Sequence, residues 1–174
     1  MAAKNSEPFV VSRVFDAPRD EVWKAWTEAE RLKQWWGPKG FVVTHCKVEL
    51  RPGGTMHYCL RTPDGGEMWG RFAYREIVKP ERLVFINSFS DPKGGVTRHP
   101  GHASWPLEMV STVTFEEVGN DPKGQGAKTR VTVHWVPADG STELERQTFD
   151  EGRDSMKQGW GGTMDQLTDY LKRG

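Results

Sequence analysis

From Phe9 onward the chain alternates short apolar–polar runs with turn residues and closes on one long stretch of helical period. Phe9 to Phe15 reads as a strand. Pro18 suits the first position of a helix, and Val22, Trp23 and Trp26 supply its buried stripe. Thr27 and Glu30 stand in the spacing of a capping box. They predict a second short helix carrying Leu32, Trp35 and Trp36, ended by Gly37-Pro38. Six further strands are predicted: Phe41 to Leu50, Met56 to Leu60, Met68 to Val78, Leu83 to Phe89, Met109 to Phe115 and Val131 to Val136. Glycine- and proline-rich turns separate them, with a polar turn from Gly119 to Gly126. Such spacing argues an antiparallel sheet of meanders. The order β-α-α-β6-α describes an α+β fold, one curved seven-stranded sheet with a long helix to cover it.

That last helix has a legible start. Pro137-Ala138-Asp139-Gly140 is a turn, and Thr142 and Glu145 form a capping-box pair. At about 100° per residue, Phe149, Met156, Trp160, Met164, Leu167 and Leu171 share one face, flanked by Gly152, Gly159, Thr163 and Tyr170. A glycine inside a helix costs roughly 1 kcal/mol relative to alanine. Gly152 and Gly159 are therefore expected to admit other backbone, or to leave open volume beside Met156 and Trp160. Gly161 and Gly162 point the other way and suggest a bend.

With strands and helices assigned, their inward faces name a candidate site. Met56, Tyr58 and Leu60 share a face, as do Phe72 and Tyr74, and Phe85, Asn87 and Phe89. So do Met109, Ser111, Val113 and Phe115, and Val131, Val133 and Trp135, which leaves His134 outside. A cavity between this face and the last helix is expected to hold a hydrophobic or aromatic small molecule. Its predicted lining is Trp36, Met56, Tyr58, Phe72, Phe85, Asn87, Phe89, Trp105, Met109, Ser111, Trp135, Met156 and Trp160. Asn87 and Ser111 are its polar members, available either to orient a ligand or to be satisfied by backbone or water. Trp160 is expected beside Phe85, Phe89 and Met109. The loop from Asp91 to Pro106 is long for a compact domain. Its Trp105 either plugs the cavity mouth or packs on the sheet edge.

Composition then narrows the class. Lysine plus arginine and aspartate plus glutamate both number 24 in 174 residues, so charge makes no case for nucleic acid or an anionic membrane. No apolar run approaches the roughly 20 residues of a membrane span. The N-terminus has no apolar secretion segment, and two cysteines suit a reducing cytoplasm. Residues 1–8 read as a flexible tail and 9–174 as one domain. Cys46 shares the inward face of its strand with Val42, Thr44, Val48 and Leu50, whereas Cys59 lies opposite Tyr58. Two free thiols are expected, with Cys59 the faster to react. His99-Pro100-Gly101-His102 lacks a cysteine or nearby acid to complete a zinc set, so no metal and no cofactor is expected. Neither a nucleophile elbow nor a dinucleotide fingerprint is present.

Phe15-Asp16-Ala17-Pro18, Val22-Trp23, Trp35-Trp36-Gly37-Pro38, Arg51-Pro52-Gly53-Gly54 and Gly159-Trp160 recur in an order that resembles the heat-shock-protein-90 ATPase activator-like family of the START/Bet v 1-like (SRPBCC) superfamily. The resemblance runs from about Phe9 to Leu171. It implies a helix-grip fold, a seven-stranded sheet wrapped around the C-terminal helix and an internal cavity. It also implies the superfamily habit of enclosing an apolar or aromatic small molecule. A cyclase- or hydrolase-type enzyme and a chaperone-regulator-like interaction module are the alternatives it carries. With its first strand at Phe9, the chain is expected to lack the extra N-terminal domain of the chaperone activator. A homodimer is left open.

Overall fold

All seven predicted strands form in the computed structural model, which describes residues 7–119 and 126–173. Most of the expected tail and the interior of the Gly119–Gly126 turn lie outside the described residues. The strands are β1 (Phe9–Phe15), β2 (Val42–Val48), β3 (Thr55–Arg61), β4 (Glu67–Val78), β5 (Arg82–Ser90), β7 (Met109–Val118) and β8 (Lys128–Pro137). They pair antiparallel in the spatial order β1-β8-β7-β5-β4-β3-β2. Short turns keep β2 to β5 adjacent. β1 pairs with the distant β8 because two helices, α1 (Arg19–Thr27) and α2 (Ala29–Leu32), leave the sheet after it. A two-residue strand, β6 (Val96–Thr97), pairs with Phe89 and Ser90 inside the stretch expected to be loop. Two residues are too few for alternation to announce.

The result is a curled antiparallel half-barrel gripping a long C-terminal helix, the expected α+β helix-grip fold. Its core is made largely of rings. Trp23 meets Phe115 edge-on at 5.3 Å, which docks α1 on β7. Trp35 donates its indole N–H to the Ala25 carbonyl at 2.9 Å and meets Trp26 at 5.2 Å. From the long helix, Phe149, Met156, Trp160, Met164 and Leu167 are all buried, at the predicted helical spacing.

Helix boundaries differ from expectation in three places. Pro18 is the residue that precedes α1 and not its first member. Thr27 opens no capping box. It ends α1, buried, and its hydroxyl donates to the Trp23 carbonyl one turn back at 2.8 Å. α2 begins after Glu28 without a side-chain cap, and Trp35 and Trp36 follow it in a turn. The third difference is at the C-terminus. The Thr142–Glu145 capping box forms as predicted, but the long helix is divided at Gly152 into α3 (Glu143–Glu151) and α4 (Arg153–Arg173). At the break the Trp105 ring lies 2.9 Å from where a Gly152 Cβ would stand, so only glycine fits beneath it. Gly162 stays helical and has a packing reason of its own: the Lys39 backbone nitrogen comes within 3.2 Å of its Cβ position.

Both cysteines are free and buried. Cys46 belongs to the inner core. Cys59 faces outward, yet is only 1% exposed, flanked across the ladder by His45 and Trp69. His45, His57 and Trp69 form a ring cluster on that outer face, with His57 stacked on Trp69 at 5.0 Å. Cys59 is therefore covered despite its outward position. Burial pushes the Cys46 thiol up to about 11 and raises that of Cys59. Cys46 should react with iodoacetamide at pH 8 about 100-fold more slowly than in the unfolded chain, and Cys59 should also react more slowly than when unfolded, since the thiolate is the nucleophile. A native-state rate for either cysteine close to the denatured rate would refute this packing.

Candidate functional site

Met156, Gly159, Trp160 and Thr163 are spaced i, i+3, i+4 and i+7, so α4 turns all four toward the sheet. Gly159 matters by what it lacks: no atom lies within 4 Å of its Cβ position. Opposite stand Tyr58 and Leu60 of β3, Phe72 of β4, Asn87 and Phe89 of β5, Met109 of β7 and Trp135 of β8. Trp36 closes one side. Gly37 beside it adopts φ +104, a left-handed conformation that side chains disfavour, and its Cβ would also come within 3.0 Å of Leu60. Gln166 of α4 holds this turn by donating to the Gly37 carbonyl at 2.7 Å. Together these residues enclose a cavity of about 650 Å³, within the range of small-molecule sites.

The deep wall is a set of interlocked rings. Trp160 stacks on Trp26 at 6.0 Å and meets Trp36 and Trp135 edge-on at 5.8 and 5.4 Å. Alternation assigned it to Phe85, Phe89 and Met109; among the described residues its ring partners are the three tryptophans instead. Trp36 in turn meets Tyr58 at 5.7 Å and Phe72 at 5.5 Å. Tyr58 lies over Gly70 of β4, where any Cβ would overlap its hydroxyl.

Of the predicted lining, Trp36, Tyr58, Phe72, Asn87, Phe89, Trp105, Met109, Trp135, Met156 and Trp160 border the cavity. Met56, Phe85 and Ser111 do not. Met56 is fully buried. Phe85 stacks behind Phe72 at 3.9 Å. Ser111 is fully buried and donates its hydroxyl to the Asn87 carboxamide oxygen. Alternation assigns a face but not a depth along the strand, and these three are buried away from the cavity. Bordering residues that the strand and helix faces did not name include Met68, Trp69, Ser88, His99, His102, Thr148, Glu151 and Ser155, and Gly152 and Thr163, expected to flank the helix face, border it too. Helical spacing from Gly159 back through Ser155, Gly152 and Thr148 signals part of that group. His99 and His102 carried no such signal.

The mouth is formed by the loop before β7. Trp105 tilts on Phe149 at 6.1 Å and covers Gly152, so it borders the cavity and packs on the helix joint, not on the sheet edge. Thr148 Oγ1 and Ser104 Oγ share a hydrogen bond of 2.9 Å. Glu145 is the anchor, accepting from Arg98 Nη1 at 2.7 Å and from the Leu107 amide at 3.0 Å. Burial alone would raise this carboxyl, but the Thr142 amide, Arg98 and the Leu107 amide outweigh it and hold it down at about 2. His99 packs edge-on against Phe89 at 4.6 Å and accepts the Gly101 N–H at 2.9 Å. Its pKa is lowered, first by burial and then by His102. Burial also pushes the Tyr58 phenol up to about 12.

Among the described residues no three histidine, cysteine or acidic side chains converge as metal ligands. No described helix is long and apolar enough to cross a membrane. The chemistry this arrangement offers is enclosure: rings and thioethers on most walls, the Asn87 amide and a few hydroxyls among them, and imidazoles with the Glu151 carboxylate at the border.

A half-barrel closed by a long helix over an aromatic cavity defines a helix-grip protein of the START/Bet v 1-like superfamily. A family model described as activator of Hsp90 ATPase homolog 1-like protein matches residues 16–172, and the chain belongs to that family. Solved structures agree over nearly the full length. A protein of Arthrobacter aurescens is 25% identical, with 97% of this chain and 88% of that one covered and a TM-score of 0.77. One from Nitrosomonas europaea is 23% identical, with 96% and 95% covered and a TM-score of 0.71. The AHSA1 protein of Silicibacter pomeroyi, 17% identical, covers 95% and 97% with a TM-score of 0.65. These likenesses establish the fold. No curated protein sequence matches the chain.

Proposed function

We propose that residues 9–174 act as one domain that binds a hydrophobic, aromatic small molecule between the sheet and α4. The observation that carries this reading is the cavity of about 650 Å³ walled by Trp36, Tyr58, Phe72, Trp135 and Trp160, with open space at Gly159. Two free thiols suit a reducing, cytoplasmic setting. The test is binding of N-phenyl-1-naphthylamine, an uncharged probe that fluoresces in apolar surroundings. Wild-type protein should bind it. Gly159→Leu, which places a side chain into the gap beside Trp160, should weaken binding at least about ten-fold while the melting temperature moves by only a few degrees. No binding by the wild type, or equal binding by the variant, rejects an internal site.

A second reading, an enzyme acting on the bound molecule, is favoured by His99, His102 and Glu151, which border the same cavity. It requires turnover of a bound compound that His99→Ala abolishes without loss of affinity. A chaperone-regulator-like partner or a homodimer would use the outer face of the end strand β1, where Val10 and Val14 are exposed. Light scattering of the wild type and of Val10→Lys tests that surface.

A further inference from the structure

We infer that the cavity selects an uncharged aromatic ligand and turns away ionised molecules built on the same ring. The inference rests on the proposed binding function and names the ligand class for that site. Among the described residues bordering the cavity there is no lysine and no arginine. A carboxylate or phosphate entering it meets indoles, phenyl rings and thioethers, with no fixed cation to replace its lost hydration. Burying an ion without such a partner is strongly unfavourable. Glu151 is the one carboxylate at the border, and it is exposed to solvent on α3. It sits at the mouth and not against the tryptophan wall, so a primary ammonium at the deep end has only ring faces to meet, whose attraction is smaller than the cost of its desolvation.

Two groups bordering the cavity lean the same way. The Tyr58 phenol resists becoming an anion, and His99 resists becoming a cation, each for the same first cause, burial. Two groups of opposite charge type are both biased toward neutrality. The polar recognition left is itself neutral. The Asn87 carboxamide oxygen accepts the Ser111 hydroxyl, which leaves the Asn87 NH2 as the donor available to a ligand hydroxyl or carbonyl oxygen. The geometry therefore points to an aromatic alcohol, ketone or phenol in its neutral form.

Three compounds share one ring and differ in charge: 1-naphthalenemethanol, 1-naphthoate and 1-naphthylmethylammonium. Each is titrated at pH 7 against wild-type protein loaded with N-phenyl-1-naphthylamine, and displacement is read by fluorescence. The alcohol should displace the probe at concentrations at least ten-fold lower than either ion. Displacement by naphthoate as good as by the alcohol overturns the inference for anions. Equal displacement by the ammonium compound overturns it for cations and implicates Glu151, which Glu151→Gln then checks. In both cases the probe still binds and the proposed function stands. If the probe does not bind the wild type at all, that function falls and this inference with it.

Discussion

Replacing Trp26 by alanine is expected to cost about 4 kcal/mol, in the range for emptying a large buried ring site. Trp26 is only 1% exposed, and its ring touches Trp35, Trp36, Phe115 and Trp160. It thereby joins α1, the turn before β2, the sheet and α4 at one point. Truncation leaves a void that these stiff neighbours cannot all collapse into, so the melting temperature should fall by roughly 10 °C. Trp26→Phe separates packing from polarity. The indole nitrogen of Trp26 finds no hydrogen-bond partner among the described residues, so phenylalanine removes part of the ring without breaking a bond. Its cost should stay near about 1–2 kcal/mol. Chemical denaturation of the two variants checks this. A loss on Trp26→Ala no larger than about 1–2 kcal/mol would mean that the ring cluster contributes little at this position.

Glu145→Ala is expected to cost about 3 kcal/mol at neutral pH, from the separation between the ordinary carboxyl value of 4.5 and its folded value of about 2. The sign follows from the direction. A carboxyl depressed in the folded state contributes fully above 4.5, and its contribution is lost as pH falls from 4.5 toward 2. The wild type and the variant should therefore differ most at pH 6–7 and converge on acidification. The variant also releases both the Leu107 amide and Arg98. The mouth loop that carries His99, His102 and Trp105 loses its anchor, and a bound naphthylamine probe should dissociate faster. A stability difference that stays constant down to pH 3 would show that the ion pair and caps of Glu145 contribute nothing specific.

Glu145 also illustrates how far inspection of the chain reaches. Its place in a capping box with Thr142 follows from four consecutive residues, and the structure has that box. Its second partnership, with Arg98 and Leu107 some forty residues earlier, has no local signature. Met56, Phe85 and Ser111 show the same division within strands. Their face was readable, because successive side chains of a strand point to opposite sides of a sheet. Their depth was not, because it depends on which rings from other elements cover them. The capping box expected at Thr27 failed for a related reason: a buried hydroxyl at the end of α1 is already committed to its own helix.

The amino-acid sequence by itself determined the order of the seven main strands, the antiparallel sheet and most of the inward faces, although a bulge between Val43 and His45 leaves Val42 and Thr44 exposed on β2. Backbone periods of 2 and about 3.6 residues and the conformational preferences of glycine and proline act locally, so they can be read locally. Only the tertiary structure decided the rest. It gathered Trp26, Trp36, Trp135 and Trp160 into one wall, buried Cys59 under an outer ring cluster and broke the long helix at Gly152 beneath Trp105. It also brought His99 and His102 to the cavity mouth. Each of these outcomes is a contact between residues far apart in the chain, settled by the curvature of the sheet and the volume of the rings packed inside it.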